Sequence, residues 1–312
     1  MSENKLKIIV IVGPTASGKT SLGVSLAKAL DGEVVSADSR QVYRGLDIGT
    51  GKVTREEMSG VPHHLLDVAD PKTVYTVADY VKAAQIAISD ICARRHLPII
   101  VGGTFLYIDT LLGKISTPGV PPNPELRNTL EQLPTTTLHD QLFARDPKRA
   151  LTIDKHNRRR LVRALEVVQS LGYVPHTEKE EPYEALVLGL NPPSDILKEN
   201  IYKRLVVRLE AGMLKEVETL LQNGVTHERL DALGLEYRYL SRYLRGLLTK
   251  EEMVTTLKTQ SWRYAKRQMT WLKRDQSITW LPHPPNLTEA ETLIRKFLES
   301  KTTANLSKKT DL

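Results

Sequence analysis

Lys7-Ile-Ile-Val-Ile-Val12-Gly13-Pro14-Thr15-Ala16-Ser17-Gly18-Lys19-Thr20 passes without interruption from an aliphatic run into a glycine-framed loop. Its last eight residues match G-x-x-x-x-G-K-[ST], with an apolar strand before them and an amphipathic helix after them, which is the context that gives this pattern its meaning. The glycines let backbone N–H groups turn inward around phosphate oxygens, and the helix N-terminus adds its positive dipole. Lys19 supplies a mobile cation, and the Thr20 hydroxyl suits a phosphate-bound Mg2+. Gly13, Pro14, Thr15, Ala16, Ser17, Gly18, Lys19 and Thr20 are therefore the candidate phosphate cradle. Taken alone, the loop leaves open whether the phosphates belong to a nucleotide or to another diphosphate.

Working outward, the chain alternates short apolar runs with amphipathic stretches. Strands are expected over Lys7–Val12, Glu33–Ser36 and Pro98–Val101, and helices over Lys19–Leu30, Thr76–Arg95 and Phe105–Leu112. This predicts an α/β fold, a P-loop NTPase-like parallel-sheet core. Ser116–Glu125 carries four prolines in ten residues and stops helix and sheet alike. A basic helical stretch follows, and Glu184–Gly189 reads as a strand returning to the sheet. The expected organisation is a first part of the core over 1–115 and a helical insertion over 116–182. Core completion with C-terminal helices then runs over 183–301, ahead of a flexible tail, 302–312. After Pro193 the chain reads as helical almost throughout, with Thr249-Lys-Glu-Glu252 as a capping box for a helix running to Trp271.

Composition excludes several classes. With 312 residues, 40% hydrophobic and 26% charged, the chain can bury a substantial core and is not a disordered protein. A single cysteine, Cys92, cannot form an internal disulfide and reads as an inert thiol. No apolar run approaches the roughly 20 residues that span a bilayer, so no membrane is expected and the cytoplasm is the expected location. The net charge of +7 points to a polyanionic partner.

Two strand ends narrow the chemistry. P-loop ATPases end an apolar strand in an acid that holds Mg2+ through water, whereas Leu97–Thr104 ends in Gly102-Gly103-Thr104. The nearest carboxylate at a strand end is Asp38, at the sheet edge where α/β folds place their ligands, and it suits a general base or a loop cap. His63-His64 does not read as a metal site, because adjacent side chains do not share one face and no acid or cysteine lies at ligand spacing.

The ordered set GPTASGKT (13–20), SADSRQVYRGLDIGTGK (36–52), VPHHLLDV (61–68), IVGGTFLYI (100–108), RRLVRALEV (159–167) and YAKRQMTWLK (264–273) resembles the tRNA dimethylallyltransferases, the bacterial tRNA isopentenyltransferase family, as far as about Trp280. The resemblance implies transfer of a dimethylallyl group from its diphosphate to N6 of the adenosine 3′-adjacent to the anticodon. Dimethylallyl diphosphate and the tRNA anticodon stem-loop would be the substrates, Mg2+ the cofactor and a monomer the working form. It implies that the phosphate loop and Arg204 hold the diphosphate, with Thr20 on Mg2+, that Asp38 accepts the proton of the adenine amine, and that Thr104 sits beside the reacting centre. Contacts to tRNA are implied at Asp38, Ser39, Arg40, Gln41 and Thr104, at Arg127, at Arg159, Arg160, Leu161, Val162 and Arg163, and at Lys266, Arg267 and Gln268.

The charge distribution accords with such a partner. Arg145–Arg163 contains eight Lys or Arg, and Trp262–Arg274 contains five with no acid, stripes suited to tracking phosphates, with the Gln268 amide placed to read a base edge. Trp262, Tyr264 and Trp271 are interleaved with these charges and read as core anchors or base-stacking platforms. Three positions depart from the family pattern. Asn200 stands where an Arg is usual, which predicts weaker diphosphate affinity, with Arg204 its natural neighbour one turn on. Phe105 stands for a common Gly, and Leu235-Glu236 follows Gly234 where a Tyr is frequent. A P-loop kinase using ATP, a prenyltransferase acting on free adenylate and a non-catalytic RNA-binding module are the competing readings.

Overall fold

The computed structural model describes residues 5–175 and 180–300; the expected flexible tail at 302–312 lies outside them. The chain divides into two compact units, one built from the segments up to Lys114 and from Glu181 onward, the other from Ile115–Glu180. The first unit begins with β1 (Leu6–Val12), α1 (Lys19–Ala29), β2 (Gly32–Ala37), a single turn α2 (Arg55–Met58) and β3 (His63–His64). It continues through α3 (Val77–Ala93), β4 (Leu97–Gly102) and α4 (Phe105–Leu111). The second unit holds α5 (Pro124–Leu130), α6 (Thr135–Arg145), α7 (Pro147–Thr152) and α8 (Arg158–Leu171). The first then resumes with β5 (Tyr183–Leu190), α9 (Ser194–Glu210), α10 (Met213–Gln222), α11 (His227–Leu233), α12 (Leu235–Leu244), α13 (Lys250–Leu272), β6 (Ile278–Leu281) and α14 (Leu287–Glu299).

All strand pairings are parallel, in the order β3-β2-β4-β1-β5-β6. From Ile8 to Val12, β1 is continuous aliphatic sequence because both its faces are covered there. Successive side chains point oppositely, so Ile8, Val10 and Val12 join one core with Tyr80, Ile88 and Ile91 of α3 and Tyr107 and Ile108 of α4. Ile9 and Ile11 join the other, with Leu22 and Leu26 of α1 and Ala290 and Ile294 of α14. The four strands expected from sequence are present, each end within one residue. The region after Pro193 is not wholly helical, since it contains β6. β3 and β6 are the two outer strands, of two and four residues, too short to show a period.

Parallel strands bring their C-terminal ends to one edge, and that edge carries the phosphate loop after β1, Asp38 after β2 and Gly103-Thr104 after β4. A further apolar core, formed by α9–α13 with Val42, Tyr43 and Leu46, holds the segment beyond Asp38. Glu216 of α10 fastens it: one carboxylate accepts the amides of Asp47, Ile48 and Gly49 at 2.9, 2.6 and 2.9 Å and the Tyr237 hydroxyl at 2.8 Å. Thr249 and Glu252 form the expected capping box at the start of α13. In the second unit, Leu130, Leu138, Leu142, Leu161, Leu165 and Val168 form a separate core. No described helix is long and apolar enough to cross a membrane.

Candidate active site

The phosphate loop is shaped before any ligand arrives. Gly18, the residue preceding α1, has φ of 88°, a left-handed conformation that glycine adopts without strain. Ser17 is only 5% exposed and its Oγ has no hydrogen-bond partner. A buried hydroxyl left unpaired costs free energy; this one is tucked against Gly13, where a Cβ would come within 2.6 Å of it. Lys19 Nζ reaches the Pro14 carbonyl at 3.2 Å. Burial pulls the Lys19 pKa down to about 8, Asp38 opposes that shift, and the Arg204 guanidinium reinforces it.

Arg204 comes from α9 on the other wall of a cleft of about 530 Å³ shared by Ala16, Ser17, Gly18, Asn200, Lys203 and Arg204. Burial, followed by repulsion from Arg208, lowers its pKa, and its guanidinium donates to no acceptor among the described residues. Arg208, one turn on, is occupied: it donates to the Gly49 carbonyl at 2.6 Å and to Glu236 at 3.2 Å. Lys203 is exposed and paired with Glu199 at 2.6 Å. Arg204, without an acceptor of its own among the described residues, thus faces a cleft at the N-terminus of α1, where Lys19 begins the helix, an arrangement that favours a polyanion.

Asp38 sits in a tight turn, with Oδ1 accepting the amides of Arg40 at 2.8 Å and Gln41 at 3.3 Å. Oδ2 has no partner among the described residues. The loop-cap and general-base readings are therefore compatible, since the capping bonds orient the carboxylate and leave one oxygen available. Thr104 bridges two strand ends: its amide donates to Ala37, and its Oγ1 accepts from the Ser39 amide at 3.0 Å and donates to Ser39 Oγ at 3.3 Å. The Gln41 side-chain amide reaches the Gly51 carbonyl at 3.5 Å. Tyr264 is electrostatically coupled to this corner; although 39% of its surface is exposed, desolvation raises its phenol to about 12, Asp38 adds to the rise, and Arg40 and Arg267 oppose it. In the sequence Tyr264 stands out only as an aromatic among basic residues, because its relation to Asp38 spans most of the chain.

Other expected nucleic-acid contacts fare differently. Gln268 is 6% exposed, with Oε1 accepting the Thr15 amide and Nε2 donating to the Gly103 carbonyl, both at 2.9 Å. The expectation that its amide reads a base edge is corrected, because both amide atoms are bound inside the protein. Lys266 and Arg267 are exposed on the same helix. Leu161 and Val162, at 0% and 6% exposure, pack their side chains into the core of the second unit rather than presenting them at its surface. Arg159 and Arg160 are exposed. Arg127 and Arg163 converge on buried Glu166 at 2.7 and 3.2 Å, and Arg163 also donates to the Val120 carbonyl. Trp262 packs beside Leu197, Ile201 and Ala265, while the Trp271 indole donates to Asp109 at 3.0 Å. His63 and His64 are β3 itself, bonded to the Val61 carbonyl and to Glu33. Among the described residues no group of three or more His, Cys, Asp or Glu is arranged to hold a metal ion.

Residues 41–275, which take in Thr104, the helical insertion and Arg204 and begin just after the phosphate loop and Asp38, match the model of the IPP transferase family. The chain belongs to the IPP transferase family. Similar relatives are the tRNA dimethylallyltransferases of Halalkalibacterium halodurans, 41% identical with 88% of this chain and 91% of that protein covered, and of Bacillus subtilis, 39% identical with 91% and 93% covered. Among solved structures, the full-length tRNA isopentenylpyrophosphate transferase from Bacillus halodurans is similar at a TM-score of 0.72, with 39% identity over 95% of this chain and 97% of that one. A eukaryotic dimethylallyltransferase acting on tRNA is similar at a TM-score of 0.77, with 29% identity over 93% of this chain and 77% of that one. Within the IPP transferase frame, the departures acquire places: Asn200 lines the cleft, Phe105 packs against the core under α3 and α4, and Glu236 pairs with Arg208.

Proposed function

We propose that this IPP transferase family member transfers the dimethylallyl group of dimethylallyl diphosphate to N6 of the adenosine 3′-adjacent to the anticodon of tRNA, releasing diphosphate. The observation that carries the reading is the juxtaposition, at one sheet edge, of a cradle with unsatisfied donors and a carboxylate with an unsatisfied acceptor. Lys19, Arg204 and the loop amides bind the diphosphate and neutralise the charge that develops as the C–O bond breaks. Asp38 Oδ2 accepts a proton from the adenine amine, a weak nucleophile that gains most from alignment. Thr104, bonded to Ser39, holds the turn that aims Asp38.

The residues fit Mg2+ brought in by a diphosphate. The exposed Thr20 hydroxyl at the start of α1 would supply a neutral oxygen, and Mg2+ keeps several waters and takes few protein ligands. When bound, the ion adds positive charge at the leaving group. Exposed Arg159, Arg160, Lys266 and Arg267 serve the RNA backbone, and an anticodon-loop base costs less to extrude than a paired one. On this reading the protein works as a monomer in the cytoplasm.

The test is incubation with unmodified tRNA, Mg2+ and dimethylallyl diphosphate, followed by mass analysis of the nucleosides. Prenylated adenosine is expected, with none from Asp38→Ala. Turnover of ATP on a small acceptor, with no use of dimethylallyl diphosphate, would replace this reading with a kinase.

A further inference from the structure

We propose that Gln268 is the positioning residue that sets the distance between the diphosphate loop and the carboxylate that receives the acceptor's proton; this rests on the transfer reading above. Three segments remote in sequence meet at its amide. Oε1 takes the Thr15 amide, which follows Pro14, a residue with no N–H of its own, and Nε2 takes the Gly103 carbonyl. Only one orientation of the amide satisfies both partners, since the flipped form would face donor with donor and acceptor with acceptor. Gly103 leads directly into Thr104, whose hydroxyl holds the Ser39 amide beside Asp38. One buried side chain therefore links the loop that holds the leaving group to the turn that holds the base.

The crowding around the contact shows how closely the segments approach. A Cβ on Gly103 would lie 2.7 Å from Gln268 Nε2, 3.3 Å from the Gly13 carbonyl and 3.7 Å from Lys19 Cε. The adjacent Lys266 and Arg267 are exposed while Ala265, Gln268 and Leu272 are buried. α13 thus presents cations outward and the clamp inward, so the helix that faces RNA is fastened to the loop that faces diphosphate.

The experiment uses the full chain, wild type against Gln268→Met and Gln268→Glu. Met keeps the volume and removes both bonds; Glu keeps an acceptor for Thr15 and has no proton for Gly103. A displacement of about 1 Å at a reacting pair costs on the order of 100-fold, so kcat of Gln268→Met is expected to fall by about that factor. The tRNA KM and the ranking of anticodon-loop sequence variants stay unchanged, and the Thr15 amide exchanges hydrogen faster. Gly103→Ala disturbs the same contact, so its kcat loss and that of Gln268→Met do not add. An unchanged kcat in both folded variants, or a changed ranking of RNA sequences, overturns the proposal, the latter in favour of base reading. If the wild type makes no prenylated adenosine, the transfer reading fails separately, and Thr15 exchange decides the clamp: faster in the variants keeps it, equal rates sink it. Should Gln268→Met not fold, Gln268→Glu carries the same comparison.

Discussion

Lys19 shows how one residue ties ionisation to ligand affinity. It is held near pKa 8 by burial first, with Asp38 opposing and Arg204 reinforcing. On the proposed reading diphosphate binds the protonated amine, so affinity would be retained below pH 8 and decline as pH rises through about 8 in the free protein. The dimethylallyl diphosphate KM is expected to climb above that pH, and Lys19→Met, weaker at every pH, to lack the inflection. Asn200 gives a second prediction at this scale. Asn200→Arg adds a cation one turn from Arg204 in the cleft and should lower the same KM, by about tenfold if its charge-assisted bonds contribute about 1.5 kcal/mol. These residues were legible because the phosphate loop is a local pattern and Arg204 follows from helical spacing. Gln268 was not. Its partners lie 253 and 165 positions away, and nothing local distinguishes an amide that reads a base from one that pins a loop.

At the level of elements, α8 illustrates why a basic helix need not be basic on every face. Burial on its own would raise the Glu166 pKa, but the Arg127 guanidinium, the Asn123 amide and Arg163 outweigh it and hold the carboxyl below its usual range. A depressed carboxylate stabilises the fold above the ordinary Glu pKa of about 4.3 and loses that contribution as pH falls below it. Glu166→Ala leaves two guanidinium groups that are each about one-third exposed and can rehydrate. The expected cost is therefore about 1.5–3 kcal/mol rather than that of a fully buried pair, to be read from urea unfolding at pH 7, with the difference from wild type shrinking below pH 4. Position along a family motif placed Leu161 and Val162 beside RNA, whereas the folded helix packs both side chains into the core of the second unit. Two strands escaped detection for a different reason: β3 and β6 have too few residues to display alternation and owe their conformation to the sheets' neighbouring edges.

For the whole molecule, the average charge of +7 conceals exposed cations concentrated on α8 and α13. Arg159→Glu with Arg160→Glu is expected to weaken tRNA binding, reduce the salt dependence of Kd by about one unit of log–log slope per lost phosphate contact, and leave dimethylallyl diphosphate binding unchanged. Filter binding across a salt series, alongside calorimetry with the diphosphate, checks both halves. The parallel core could be read from sequence because its central strands are long and aliphatic, and the insertion because prolines mark its start. The order of the strands could not, since it depends on pairings between distant segments. That order has a consequence for the nascent chain. β1 bonds to β5 along its whole length, Leu6–Val12 with Tyr183–Gly189, and β5 follows the second unit. A ribosome adding about 5–20 residues per second needs roughly 4–16 s to pass from the end of β4 to the start of β5. Throughout that interval one edge of the most hydrophobic strand in the protein lacks its partner, so the insertion lengthens the period in which the emerging polypeptide is prone to aggregate and open to capture by chaperones.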